Sequence, residues 1–171
     1  DLETGWDLTK VQHRNEITRI VLSKKPLLVI GSPPCTKMSI LQNLNANRWR
    51  SPEFCRQYQE AVSHIRFCCF IYNLQIKEGR YFLHEHPQGA TSWKLDCMQK
   101  LVNDPGVFKA KADLCEFGMV DKDGYHVKKP TVFLTNSACL GWRLNVQCKR
   151  QHTHRTRRAG WCATSHAPAL T

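Results

Sequence analysis

Apolar positions recur along the chain in two rhythms, three-to-four-residue steps and short unbroken runs. Over residues 10–23, Val11, Ile17, Ile20, Val21 and Leu22 stand among charged residues at helical spacing, and Ser23-Lys24-Lys25-Pro26 ends the pattern. The run Leu27–Ile30 then predicts a short buried strand, and the asparagine-rich residues 40–47 predict irregular chain. Ser51-Pro52-Glu53 predicts a helix start, with Ser51 as the cap and Pro52 in the first turn. From Glu53 to about Lys77, Phe54, Tyr58, Ala61, Val62, Ile65, Cys69, Tyr72 and Ile76 mark one buried face, and Gly79 stops it. Tyr81-Phe82-Leu83 predicts a second strand running into His84-Glu85-His86-Pro87. Trp93–Val102 predicts a helix and residues 113–119 a short strand or turn. Pro130–Leu134 predicts a third strand, after the Asp121-Lys122-Asp123-Gly124 turn.

Strands separated by helices predict an α/β layered sheet whose strand-end loops carry the site. At 171 residues, 42% of them hydrophobic, the chain is long enough for one core. Residues 1–146 predict the folded domain. From 147 to 171 apolar positions thin out and Cys148, Lys149, Arg150, His152, His154, Arg155, Arg157 and Arg158 crowd together, a basic Cys/His-containing tail. No internal repeat, P-loop or Gly-x-Gly-x-x-Gly pattern is present. Asp1 at the start predicts a chain that enters a fold already under way, a fragment or a processed product.

Charge changes the picture next. Twenty-five Lys and Arg against fourteen Asp and Glu give +11, a balance that favours a polyanionic partner and makes nucleic acid the first candidate. Nine cysteines, an odd number including the adjacent Cys68 and Cys69, do not form the framework of a small secreted scaffold and predict a reducing, intracellular compartment. That compartment is the nucleus in a eukaryote and the cytoplasm otherwise. No run of about 18 apolar residues predicts a membrane span.

The densest chemistry lies at residues 31–39, Gly-Ser-Pro-Pro-Cys-Thr-Lys-Met-Ser. Two prolines stiffen the chain leaving the first strand and hold Cys35 at a defined place, as a nucleophile requires. Gly31, Pro33, Pro34, Cys35 and Ser39 match a Gly-Pro-Pro-Cys-Gln-x-Phe-Ser motif, with Thr36 and Met38 in place of Gln and Phe. Phe82–Pro87 matches a segment ending Glu-Asn-Val, with Glu85 kept and His86 where Asn would stand. Phe117-Gly118, Lys128, Lys129 and Thr131–Leu134 follow a Tyr-Gly-Val-Pro-Gln-x-Arg-x-Arg segment and the strand after it, with lysines for arginines. Gly5-Trp6-Asp7-Leu8 matches a Gly-Asp-Ile motif over two or three residues.

In these motifs, and over about Gly5 to Asn136, the chain resembles the DNA cytosine-5 methyltransferases, and it is similar to methyltransferase-like segments of retroelement-type polyproteins. The resemblance implies a Rossmann-like class I methyltransferase sheet, in part. The glycine-rich cofactor motif and its acidic ribose partner are absent, as are a target-recognition domain and the final helix. The resemblance implies S-adenosylmethionine as methyl donor, with Asp7, Pro33 and Pro34 at the cofactor. Cytosine in DNA, rather than RNA, is the implied substrate, and a flanking segment or a second chain would complete the cofactor site. It makes Cys35 the nucleophile that adds to carbon 6 of the base, Glu85 the partner of ring N3, and Lys128 and Lys129 the cations near thiolate and phosphate.

Two rival readings accompany it. One is a catalytically degenerate methyltransferase-like module that binds nucleic acid. The other is a zinc-stabilised structural segment of a polyprotein, its ligands drawn from Cys139, Cys148, His152, His154 and Cys162 because His152 and His154 project to one side of an extended segment. His84 and His86, flanking Glu85, are expected to tune or fill its pocket.

Overall fold

The computed structural model describes residues 5–44 and 47–154. Four helices and four strands form a mixed α/β structure in the order α1 (Val11–Lys24), β1 (Leu28–Gly31), α2 (Pro52–Lys77), β2 (Tyr81–Pro87), α3 (Asp96–Val102), β3 (Phe108–Asp113), β4 (Pro130–Thr135) and α4 (Ala138–Leu144). The sheet order is β1-β2-β4-β3, with β1 parallel to β2 and β4 antiparallel to both its neighbours. Strands β1, β2 and β3 therefore run the same way, so their carboxyl ends share one edge of the sheet. The chain enters β4 at that edge, where Pro130 pairs with Asp113 and Thr131 with Pro87.

Helix α2 is anchored at both ends by the residues the sequence singles out. The Ser51 hydroxyl accepts the Phe54 N–H at 3.2 Å, and Pro52 occupies the first turn, where its missing N–H costs nothing. At the far end the buried Gln75 amide donates to the carbonyls of Pro26 (3.0 Å) and Tyr81 (2.8 Å), tying the helix to the starts of β1 and β2. The helix thus runs back along the sheet from its carboxyl edge. Its buried face packs with α3 on Phe82, Val132 and Leu134 to make the main core, which also holds Met38, Ile65, Tyr72, Trp93, Met98 and Leu101. The opposite sheet face carries a smaller cluster of Ala110, Ala112 and Phe133, with Leu83, Leu114 and Leu144 packed against it.

Helix α1 and strands β1, β2 and β4 fall where the hydrophobic pattern puts them. Strand β2 is longer than its apolar start implies and continues through His84, Glu85 and His86. Residues 113–119 are a 3₁₀ turn, Leu114–Phe117, after the unforeseen strand β3. Ile40–Leu44, within the asparagine-rich stretch, and Arg48–Arg50, just after it, form short 3₁₀ turns. Among the described residues no helix is long and apolar enough to cross a membrane.

Candidate functional site

The carboxyl edge of the sheet carries two clusters of reactive side chains, one at the β1–β2 corner and one beyond β3. At the first corner, the parallel register sets Gly31 beside His84, so the chain that leaves β1 passes next to Glu85. Ser32 Oγ donates to Glu85 Oε2 at 2.6 Å, and Lys129 Nζ lies 3.5 Å from Glu85 Oε1. Pro33 is buried and Pro34 exposed; Cys35 is half-buried at the head of the 3₁₀ turn Thr36–Met38, where its carbonyl accepts the Met38 N–H at 2.9 Å. Met38 is fully buried, and its carbonyl accepts a hydrogen bond from Thr91 Oγ1 at 3.2 Å, which pins the loop to the start of the α3 region. Position 31 must be glycine for steric reasons: a Cβ there would collide with Tyr72 Oη.

Alternation along β2 separates Glu85 from its histidine neighbours. His84 and His86 point into the main core, fully buried, rather than into a pocket with Glu85. Tyr72 Oη is 2.9 Å from His84 Nδ1, the two imidazoles stack with centroids 5.4 Å apart, and Trp93 meets both edge-on. Burial, reinforced by His86, depresses the pKa of His84 to about 3; burial depresses that of His86 to about 4, so both rings are neutral. These residues support the floor under the corner and do not face it.

The second cluster gathers residues from two segments. Cys115 comes from the 3₁₀ turn that follows β3, and Cys148, His152 and His154 come from the segment beyond α4. Their four donor atoms all lie within 4.8 Å of one another. Cys148 Sγ is 3.5 Å from His152 Nε2 and 3.4 Å from His154 Nε2, which in turn is 3.4 Å from Cys115 Sγ. A tetrahedral ion with arms of about 2.3 Å to sulfur and 2.0–2.1 Å to nitrogen would set its S···N edges at about 3.6 Å. The donor set therefore has the spacing and chemistry of a four-coordinate metal site. Without an ion, burial and the neighbouring Cys148 push the Cys115 thiol up to about 11, and partial burial with the His152 ring lowers His154; a bound cation reverses the preference of the thiols.

Outside the donors, the His126 ring stacks on His152 at 4.0 Å and residue 126 bridges to both Val120 and His154. Asp113 Oδ2 accepts the Cys148 N–H at 2.9 Å and lies 3.5 Å from Lys128 Nζ. Residues 147–154, the first part of the basic stretch, are thus fastened to the end of β3.

No family model matches this chain, and no curated protein and no solved structure matches it. The assignments therefore rest on the positions of the side chains.

The structure brings Glu85 and Lys129 together next to the Cys35 loop. Lys128 goes elsewhere: consecutive residues on extended chain point to opposite sides, so Lys129 meets Glu85 while Lys128 meets Asp113. Both lysines are thereby paired with carboxylates. Asp7 lies ahead of α1 and is occupied locally: its Oδ1 accepts from Thr9 N–H (3.0 Å) and Thr9 Oγ1 (2.7 Å), and Oδ2 is 3.7 Å from Lys10 Nζ. These hydrogen bonds from Thr9 hold the Asp7 carboxyl below its ordinary value. Of the five residues considered for zinc, Cys148, His152 and His154 converge, Cys139 is exposed on α4, and Cys162 lies outside the described residues. Cys115 is the member of the four-donor cluster that the sequence did not single out. Its signal was its place just after a strand that ends beside the Cys148–His154 segment, and that strand was itself missed.

Proposed function

We propose that the chain is a methyltransferase-like domain directed at cytosine in nucleic acid, DNA in the first instance, with Cys35 as nucleophile. The observation that carries the reading is the meeting of the Cys35 loop and Glu85 at adjoining carboxyl ends of two parallel strands, the edge where open α/β sheets bind their ligands. A mixed sheet that starts from a parallel pair is compatible with part of a Rossmann-like sheet. The Cys35 thiolate adds to carbon 6 of cytosine, the carbon 5–carbon 6 π pair moves through the ring to N3, and N3 takes a proton shared with Glu85. Carbon 5 of the resulting enamine is the nucleophile. Ser32 and Lys129 hold the Glu85 carboxyl in place, and Lys129 adds positive charge where the backbone phosphate of an extruded base would lie.

S-adenosylmethionine is the donor the resemblance implies, but the described residues beside the Cys35 loop do not form a cradle for it. The cleft beside the loop, lined by Lys37, Ser39, Trp49 and Tyr58 among others, measures about 60 Å³, against roughly 300 Å³ or more for ordinary ligand pockets. Asp7 is engaged with Thr9 and Lys10 and Pro33 is buried. Methyl transfer would need the cofactor half from a flanking segment or a second chain. Incubation with DNA carrying 5-azacytosine, whose ring stays joined to a thiolate added at carbon 6 without methyl transfer, should trap a covalent adduct that Cys35→Ala abolishes. DNA binding without an adduct would instead favour the degenerate binding module.

A second reading is favoured by the four-donor cluster: a zinc-stabilised structural segment. Four protein donors leave no open position, the mark of a structural and not a catalytic ion, and a mixed thiolate–imidazole set suits zinc. Zinc content of the protein purified without chelator tests it, with one ion per chain expected. The two readings are compatible, because they occupy different corners of the same edge.

A further inference from the structure

We infer that the metal corner is a brace for the Glu85 corner: the ion held by Cys115, Cys148, His152 and His154 fixes the loop 119–129 and through it the Lys128-Lys129 pair. The inference rests on reading the cluster as a zinc site and extends it to a positioning role. Three separate attachments lead from the ligands to the lysines. Leu114, next to the ligand Cys115, donates its N–H to the Lys129 carbonyl at 3.2 Å. The N–H of the ligand Cys148 binds Asp113, whose same carboxylate oxygen faces Lys128 at 3.5 Å. The ring of the ligand His152 stacks on His126, and His154 bridges to residue 126, two residues before Lys128.

Within the loop, backbone bonds join Val127 to Met119 (3.0 Å), Asp121 to Tyr125 (2.9 Å) and Gly124 to Asp121 (3.0 Å), and Asp121 Oδ1 accepts the N–H groups of Asp123 (2.9 Å) and Tyr125 (3.0 Å), but no residue from 119 to 129 is buried. A segment without a buried apolar anchor opens readily unless something else ties it down. The four donors close a ring that joins the end of β3 to residues 148–154, and His126 is sandwiched against that ring. Removing the ion frees Cys148, His152 and His154 together, and with them the stack and the bridge that hold residue 126. The Asp113 carboxylate, itself carried on β3, then loses the Cys148 N–H that orients it toward Lys128, and the chain leading into Lys128-Lys129 loses its hold at residue 126. Zinc occupancy and nucleic-acid engagement at Glu85 are in this way coupled, with Asp113 and His126 as positioning residues.

The test is hydrogen–deuterium exchange of the full chain, loaded with one equivalent of zinc and then stripped with a chelator, with metal content measured on both samples. Peptides covering 114–129 should exchange at least about tenfold faster after stripping, while β2 peptides covering 81–87 stay protected. His126→Ala should still bind one zinc and should loosen the same peptides without any chelator. Failure to bind zinc would overturn both the metal reading and the brace. One zinc per chain with unchanged exchange over 114–129 after stripping would overturn the brace alone and leave the metal reading standing.

Discussion

The two corners of the sheet edge are made from similar materials, cysteines and charged or ring side chains on loops, and lie about 14 Å apart across three strand spacings. They differ in how their polar groups are satisfied. At the β3 corner four donors aim at one point, and only an ion is needed to complete the arrangement. At the β1–β2 corner Ser32 and Lys129 each engage one oxygen of the Glu85 carboxylate, so those groups satisfy one another, and Cys35 stands further along the loop. On the proposed reading the β3 corner is the stabilising one and the β1–β2 corner the reactive one, and the Lys128-Lys129 pair joins them.

The largest expected effects break that division of labour. Cys148→Ser should reduce bound zinc from one ion per chain to none by elemental analysis, while Cys35→Ser should leave zinc content unchanged. Acid should attack the floor of the reactive corner next. His84 and His86 have folded pKa values near 3 and 4, below the ordinary 6.5, so the unfolded chain binds more protons between those limits. Stability should then fall as pH drops through 6.5, by about 3 kcal/mol for each ring at pH 4, and His86→Leu should remove about half of the slope in urea titrations across that range. Gly31→Ala should cost about 1–3 kcal/mol, because the new methyl displaces the Tyr72 hydroxyl from His84, and a lower melting temperature with unchanged zinc content would confirm it.

The smallest effects separate the two lysines. Lys128→Gln and Lys129→Gln should each change stability by no more than about 1 kcal/mol, since both ion pairs are partly solvated. Only Lys129→Gln should weaken an adduct at Cys35 at fixed zinc occupancy. Equal effects from both would erase the distinction between the corners.

Much of this was legible in the chain, and the rest was hidden for identifiable reasons. Helix α2 announced itself through Ser51, Pro52 and a long apolar stripe, and Cys35 and Glu85 through stiff or strand-end contexts. Strand β3 was silent because its buried positions, Ala110 and Ala112, are small and its lysines outward, so alternation carried almost no hydrophobic signal. Helix α4 is seven residues long and its buried residue is Gly141, where a Cβ would press on Phe108. Without β3, nothing could bring Cys115 to Cys148, and Cys139 looked like the nearer ligand. His84 and His86, expected to tune or fill the Glu85 pocket, lie on the other face of the sheet, because β2 stays extended to Pro87 and period two sends them into the core.

The central claim is that Cys35 attacks cytosine, and proton exchange at carbon 5 tests it without a methyl donor. Addition at carbon 6 lets carbon 5 take a deuteron from solvent, after which loss of the original proton and expulsion of the thiolate return cytosine with deuterium at that position. Mass spectrometry of cytosine-containing single-stranded DNA incubated with the zinc-loaded protein in deuterium oxide should show that label with the natural chain and none with Cys35→Ser. Bound DNA that gains no label over background would contradict the account.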